Sequence, residues 1–208
     1  RLLQNAETIL ELEQGFPPQD AASIMNTAPV DLSALCHAEM EGLSYFMREH
    51  RIDMSLDCPQ ADILVGLTIR QCWVVVGNLL LNSLQHLPDG GSLRLRLRRE
   101  NGCATLSIDD NGEGVSLEAL GRLFVADKKE PGQGLKLVTA AAARCGGSFL
   151  VSPRPGGGTS ARLRLPLSEG QSALNAVSYP YTEEILAGVV SQVSPWLEPR
   201  EFLPELLV

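Results

Sequence analysis

The chain has 208 residues, 44% of them hydrophobic and 20% charged, which suits one globular domain of ordinary size with short appendages. Its formal charge of -8 and pI near 4.9 exclude nucleic acid as the expected partner, because a phosphate backbone needs a positive surface. The longest apolar stretch, Cys72 to Leu81, is broken by Gly77 and Asn78 and is too short to span a bilayer.

Leu2, Leu3, Ala6, Ile9 and Leu10 recur at helical spacing until Gly15 and Pro17-Pro18 stop them, so residues 1–20 read as the tail of a longer helical stalk. After a polar loop, Asp31 is a good N-cap with Val30 and Leu35 as a staple, and it opens a helix expected to reach about Glu49. Ile52 to Leu56 alternates like a strand. From about Leu67 to Leu87 a strongly apolar helix is predicted, followed by a turn at Pro88-Asp89-Gly90-Gly91. Leu93, Leu95 and Leu97 alternate with Arg94, Arg96 and Arg98, a half-buried strand with the arginines on its solvated face. Asn101-Gly102 signals a hairpin, and Ala104, Leu106 and Ile108 alternate in the returning strand.

A glycine-rich loop, a short helix (Leu117 to Phe124), a polar loop and a helix from Leu135 to Ala143 come next. Two strands, Ser148 to Ser152 and Ser160 to Leu165, are joined by Pro155-Gly156-Gly157-Gly158. Helices mixed with antiparallel strand pairs indicate an α/β (α+β) fold, a two-layer sandwich with the helices on one face of the sheet, over residues 30–168. Residues 169–208 read as a C-terminal extension whose Ile185, Leu186, Val189, Val190 and Val193 form one more amphipathic helix. Five scattered cysteines without a C-x-x-C pair favour a reducing compartment and disfavour structural zinc. Arg1 opens the chain and no signal-peptide pattern follows, so the expectation is a cytoplasmic piece of a longer protein.

Four local features carry chemistry. Asn78 and Asn82 lie four apart on one face of the apolar helix, with Gln85 and His86 continuing the stripe. Amides among leucines cost about 1–3 kcal/mol each unless partnered. They are either hydrogen-bonded within the core or offered to a hydrated divalent cation. In Asp109-Asp110-Asn111-Gly112-Glu113-Gly114, strand parity directs Asp110 inward and Asp109 outward. An inward carboxylate is either the cap of a turn or the partner of a ligand donor such as the amine of a base. A calcium-loop reading of this segment fails, because Leu120 stands where a bidentate Glu is needed and a strand precedes the loop. Gly132-Gln133-Gly134 ahead of the helix at Leu135 suits a phosphate cradle, although Leu137 replaces the last glycine of a dinucleotide fingerprint. Thr159, after the three glycines, shares inward parity with Ala161, Leu163 and Leu165.

In order and spacing these features resemble the N, G1, G2 and G3 boxes of the GHKL ATPase superfamily, whose Bergerat fold binds ATP with Mg2+. The resemblance spans Val30 to Leu167 and is similar above all to the catalytic domain of sensor histidine kinases. It implies that Asn82 holds magnesium and is the catalytic amide, with Asn78 as its companion and His86 on the pocket wall. It further implies that Asp110, flanked by Gly112 and Gly114, reads the adenine amine. Gly132, Gly134 and Leu135 would cradle phosphates, Lys128 would supply positive charge, and Thr159 would support the base.

The implied reaction moves the γ-phosphoryl group of ATP to a histidine on a dimerisation stalk. The implied partners are that stalk helix, a response regulator and a second copy of the chain. Neither His37, His50 nor His86 resembles the phosphoacceptor. Gln85, Lys136 in place of a glycine, and Leu67 in place of an aspartate depart from the pattern, as does a short lid after Leu123-Phe124. A regulatory ATP-binding module and an anti-sigma-type serine kinase are the competing expectations.

Overall fold

The structure, a computed structural model, describes residues 29–116 and 133–168. The expected leading helix, the short helix at Leu117, Lys128, Gly132 and the amphipathic helix near Leu186 lie outside these described residues.

Asp31 caps α1 (Leu32–Gly42): its carboxylate accepts the Ser33 N–H at 2.9 Å and also the Ile63 N–H at 3.2 Å. The helix expected to continue to Glu49 instead breaks at Leu43, after Gly42 has lowered the helical preference, and a second piece, α2 (Ser44–Glu49), follows. The short strands β1 (Val30–Asp31) and β3 (Leu64–Val65) pair antiparallel on the flank. Thr68 and Gln71 close a capping box on α3 (Ile69–Gln85), with N–H to side-chain oxygen distances of 2.9 and 3.2 Å. This fixes the helix start two residues later than the apolar pattern suggests.

The main sheet has the order β2-β4-β5-β7-β6, formed by β2 (Asp53–Asp57), β4 (Ser92–Glu100), β5 (Cys103–Asp110), β6 (Ser148–Pro153) and β7 (Thr159–Pro166). Asn101 and Gly102, both at positive φ, turn β4 into β5 as the Asn-Gly pair requires. The expected antiparallel pairs are joined by one parallel pair at the sheet edge. There β2 runs parallel to β4, and the connection between them carries β3 and α3, the long crossover that a parallel pair needs. Leu93, Leu95, Leu97, Leu106, Ile108, Leu163 and Leu165 form the inner face and are buried against α1, α3 and α4 (Gln133–Arg144). Arg94, Arg96, Arg162 and Arg164 stand exposed on the opposite face, as their alternation predicts. No helix among the described residues is long and apolar enough to cross a membrane.

An acidic side chain enters the core from α1. Glu39 on α1 is 2% exposed, its Oε1 has no partner among the described residues, and burial raises its carboxyl to about 8. The folded state therefore keeps a proton that the unfolded chain releases near the ordinary glutamate value, so this group's stabilisation is complete below about pH 4.5 and drains away as pH rises toward 8. Thermal melts of Glu39→Gln against the parent across that range are expected to diverge, the variant becoming progressively the more stable. Parallel curves would contradict a neutral buried carboxyl.

Candidate functional site

Asp110 ends β5 on the inner face, opposite Leu93, and is 2% exposed. One oxygen, Oδ1, accepts two backbone N–H groups, from Gly112 and Thr159, each at 3.0 Å. The other, Oδ2, has no hydrogen-bond partner among the described residues. A carboxylate so held is oriented by the backbone and presents one free acceptor. Asp109 points to the other face as parity predicts, but it is buried there beneath Arg96, with which it pairs.

Three glycines let the surrounding backbone close on Asp110. Gly158 sits at φ +89, and a Cβ there would overlap the Asp110 carbonyl, so the hairpin between β6 and β7 lies directly on the end of β5. At Gly112 a Cβ would overlap the carbonyl of His86, where α3 ends. That carbonyl also accepts the Glu113 N–H at 3.3 Å. Gly114, at φ +81, backs onto Gly158. His86 thus touches the loop through its carbonyl while its side chain is exposed.

The two helices bring the remaining residues together. Gly134 was expected in a loop ahead of the helix, but α4 starts at Gln133 and Gly134 lies in its first turn. Here the glycine serves close packing, because a Cβ would overlap the Asn78 amide oxygen of α3. The Asn78 amide nitrogen donates to the Val74 carbonyl at 2.6 Å, so this side chain is partly committed to its own helix. Asn82, one turn further on, is half-buried and its amide has no partner among the described residues. Leu135 is a core side chain, and Thr159 is buried with its N–H on Asp110.

Two residues escaped the sequence reading. Asn111 locks the loop to β4, its side-chain oxygen accepting the Ser92 N–H at 2.6 Å and its own N–H reaching the Ser92 carbonyl at 3.2 Å. Arg154 donates to the Asp110 backbone carbonyl at 2.6 Å and its N–H bonds the Gly158 carbonyl at 3.0 Å, tying the hairpin to the end of β5. An Asn in a turn carries a weak signal of this kind. Nothing local separates Arg154 from the solvated arginines nearby. Together the elements offer a carboxylate oxygen and the Asn82 amide, both without partners among the described residues, and the N-terminal end of α4, a set suited to binding and charge neutralisation rather than proton transfer.

Residues 69–169 match the family described as histidine kinase-, DNA gyrase B-, and HSP90-like ATPase. The match covers just under half of the chain. The alginate biosynthesis sensor protein KinB of Pseudomonas aeruginosa is 35% identical over 99 residues, covering 45% of this chain and 17% of KinB. Sporulation kinase D of Bacillus subtilis is 34% identical over 110 residues, 51% of this chain and 22% of that protein. The chain thus spans less than a quarter of either relative. The catalytic domain of histidine kinase ThkA shares the fold at a TM-score of 0.60 and 17% identity, covering 67% of this chain and 95% of that domain. ThkA has also been solved in complex with response regulator protein TrrA.

The overlap at Gly158 sets a simple test of how the site is assembled. Gly158→Ala adds a methyl group against the Asp110 carbonyl at a φ that L-residues avoid, and it is expected to cost at least about 1 kcal/mol of stability. Gly156→Ala, also at positive φ but with open space around it, controls for backbone strain alone. Equal losses in denaturant melts of the two variants would contradict the close contact.

Proposed function

We propose that residues 30–168 bind ATP and, within a longer protein, pass its γ-phosphoryl group to a histidine outside this chain, as the ATP-binding catalytic domain of a sensor histidine kinase. The observation that carries the reading is Asp110: its doubly held Oδ1 leaves Oδ2 as an acceptor for the exocyclic amine of adenine. The match of residues 69–169 to an ATPase family and the similarity to sensor kinases support it.

In this reading Thr159 and the glycines at 112 and 114 shape the purine end. The first turn of α4 would receive phosphate at its helix N-terminus, with Gly132 and Lys128 assigned to the same end from the sequence pattern. Asn82 fits magnesium, because a half-buried amide without a partner in an apolar helix is a ready oxygen ligand for a hard cation. Magnesium, when bound, would neutralise charge on the transferring phosphates. Everything else asked of the chain is positioning: Asn78 packs α3 against Gly134, and His86 supports the loop through its carbonyl.

His37 contacts its own helix at the Ser33 carbonyl and His50 pairs with Asp89, which agrees with an acceptor located elsewhere. The partners proposed are that acceptor helix, a second copy joined through it, and a response regulator, as in the ThkA complex. A cytoplasmic setting is proposed with them.

Asp110→Asn keeps an oxygen for the two N–H groups but turns the free acceptor into a donor. Calorimetry is expected to show ATP affinity falling at least about tenfold, the loss of a hydrogen bond to a charged group, with little change in stability. Asn82→Ala is expected to leave affinity without metal intact and to remove its dependence on magnesium. For the full-length protein, acid-labile phosphate formed from ATP is the expected product. Acid-stable phosphate would indicate a serine kinase, and tight binding without any phosphate a regulatory module.

A further inference from the structure

The outer face of the main sheet is not an ordinary solvated surface. Register sets Arg96, Ser107 and Arg162 side by side across β4, β5 and β7, and places Arg98, Thr105 and Arg164 in the next row. Arg94 stands one step further along β4, opposite Asp109. With strands about 4.8 Å apart and alternate residues about 7 Å apart, five guanidinium groups share a patch on the order of 10 by 14 Å. Arg96 pairs with Asp109 and Arg98 with Asp57. Arg94, Arg162 and Arg164 have no acidic partner among the described residues. Beside Arg162, Leu150 of β6 is 58% exposed and provides an apolar foothold.

The charge of the chain is distributed in a complementary way. Residues 29–168 carry 15 acidic and 15 basic side chains and are neutral as a whole. Residues 169–208 carry six glutamates (Glu169, Glu183, Glu184, Glu198, Glu201, Glu205) against Arg200 alone, a net charge of -5. This segment starts just after β7, the strand that bears Arg162 and Arg164, and Ser168 at its root is fixed by an N–H bond to the Leu64 carbonyl at 2.9 Å. A chain of this length reaches roughly 35 Å even as a random coil, well beyond the width of a five-stranded sheet. Tethering also raises its local concentration to the order of millimolar, so weak exposed pairs suffice when several act together.

We propose that the acidic segment 169–208 docks on the arginine-bearing outer face of the sheet, its glutamates opposite Arg94, Arg162 and Arg164 and its apolar residues over Leu150. This proposal is independent of the nucleotide reading, because the outer face lies on the side of the sheet away from Asp110.

The chain carries its own reporter. Trp73 lies in the core, and the other tryptophan, Trp196, belongs to the acidic segment. Acrylamide, a neutral quencher, is expected to reach Trp196 poorly in the intact chain at low salt, and quenching is expected to rise about twofold at high ionic strength as the pairs are screened. Arg162→Glu with Arg164→Glu should give the same rise at low salt, and adding Glu183→Arg with Glu184→Arg should restore shielding. If the sheet variant misfolds by circular dichroism, Glu183→Gln with Glu184→Gln replaces it, with the same rise expected. Quenching that ignores both salt and the substitutions overturns the proposal. Shielding lost on dilution overturns it as well, because it assigns the face to a second copy.

Discussion

The Asp110 carboxylate is gripped from two directions by backbone N–H groups of Gly112 and Thr159, which belong to loops far apart in the chain. For both to reach a single oxygen, the end of β5, the tip of the β6–β7 hairpin and the end of α3 must pack with almost no side-chain volume between them. Glycines at 112 and 158 meet that demand, and Arg154 and Asn111 hold the pieces in place. The carboxylate is therefore oriented before any ligand arrives, so no ordering cost remains to be met on binding.

Elements governed by local periodicity were legible in the sequence. The leucine–arginine alternation of β4, the Asn101-Gly102 turn and the Asp31 cap all follow from rules acting within a few residues. What the sequence hid depends on distant partners. β2 alternates like any edge strand, and its parallel pairing with β4 is set only once α3 has carried the chain across the sheet. Gly134 looks like a loop glycine, whereas the need for glycine comes from Asn78 on another helix. Thr68 and Gln71 did carry a capping box, which the run of apolar residues around them obscured.

The site shows the same division. Inward parity picked out Asp110 and Thr159, and the helical stripe picked out Asn78 and Asn82. Parity could not reveal that one Asp110 oxygen accepts two N–H groups while the other has no partner among the described residues. Asp109 adds a contrast: the adjacent carboxylate faces the other way and pairs with Arg96. The sheet thus separates an inner face that carries Asp110 from an outer one dominated by positive charge.

In the proposed site the free Asp110 oxygen accepts from a donor on the purine. ATP and inosine triphosphate differ at that position, an amine in one and an oxygen in the other. Titration calorimetry of the chain with each nucleotide is expected to give ATP at least about tenfold tighter, since the oxygen would face a carboxylate with no proton between them. Equal affinities would mean that Asp110 does not read the base.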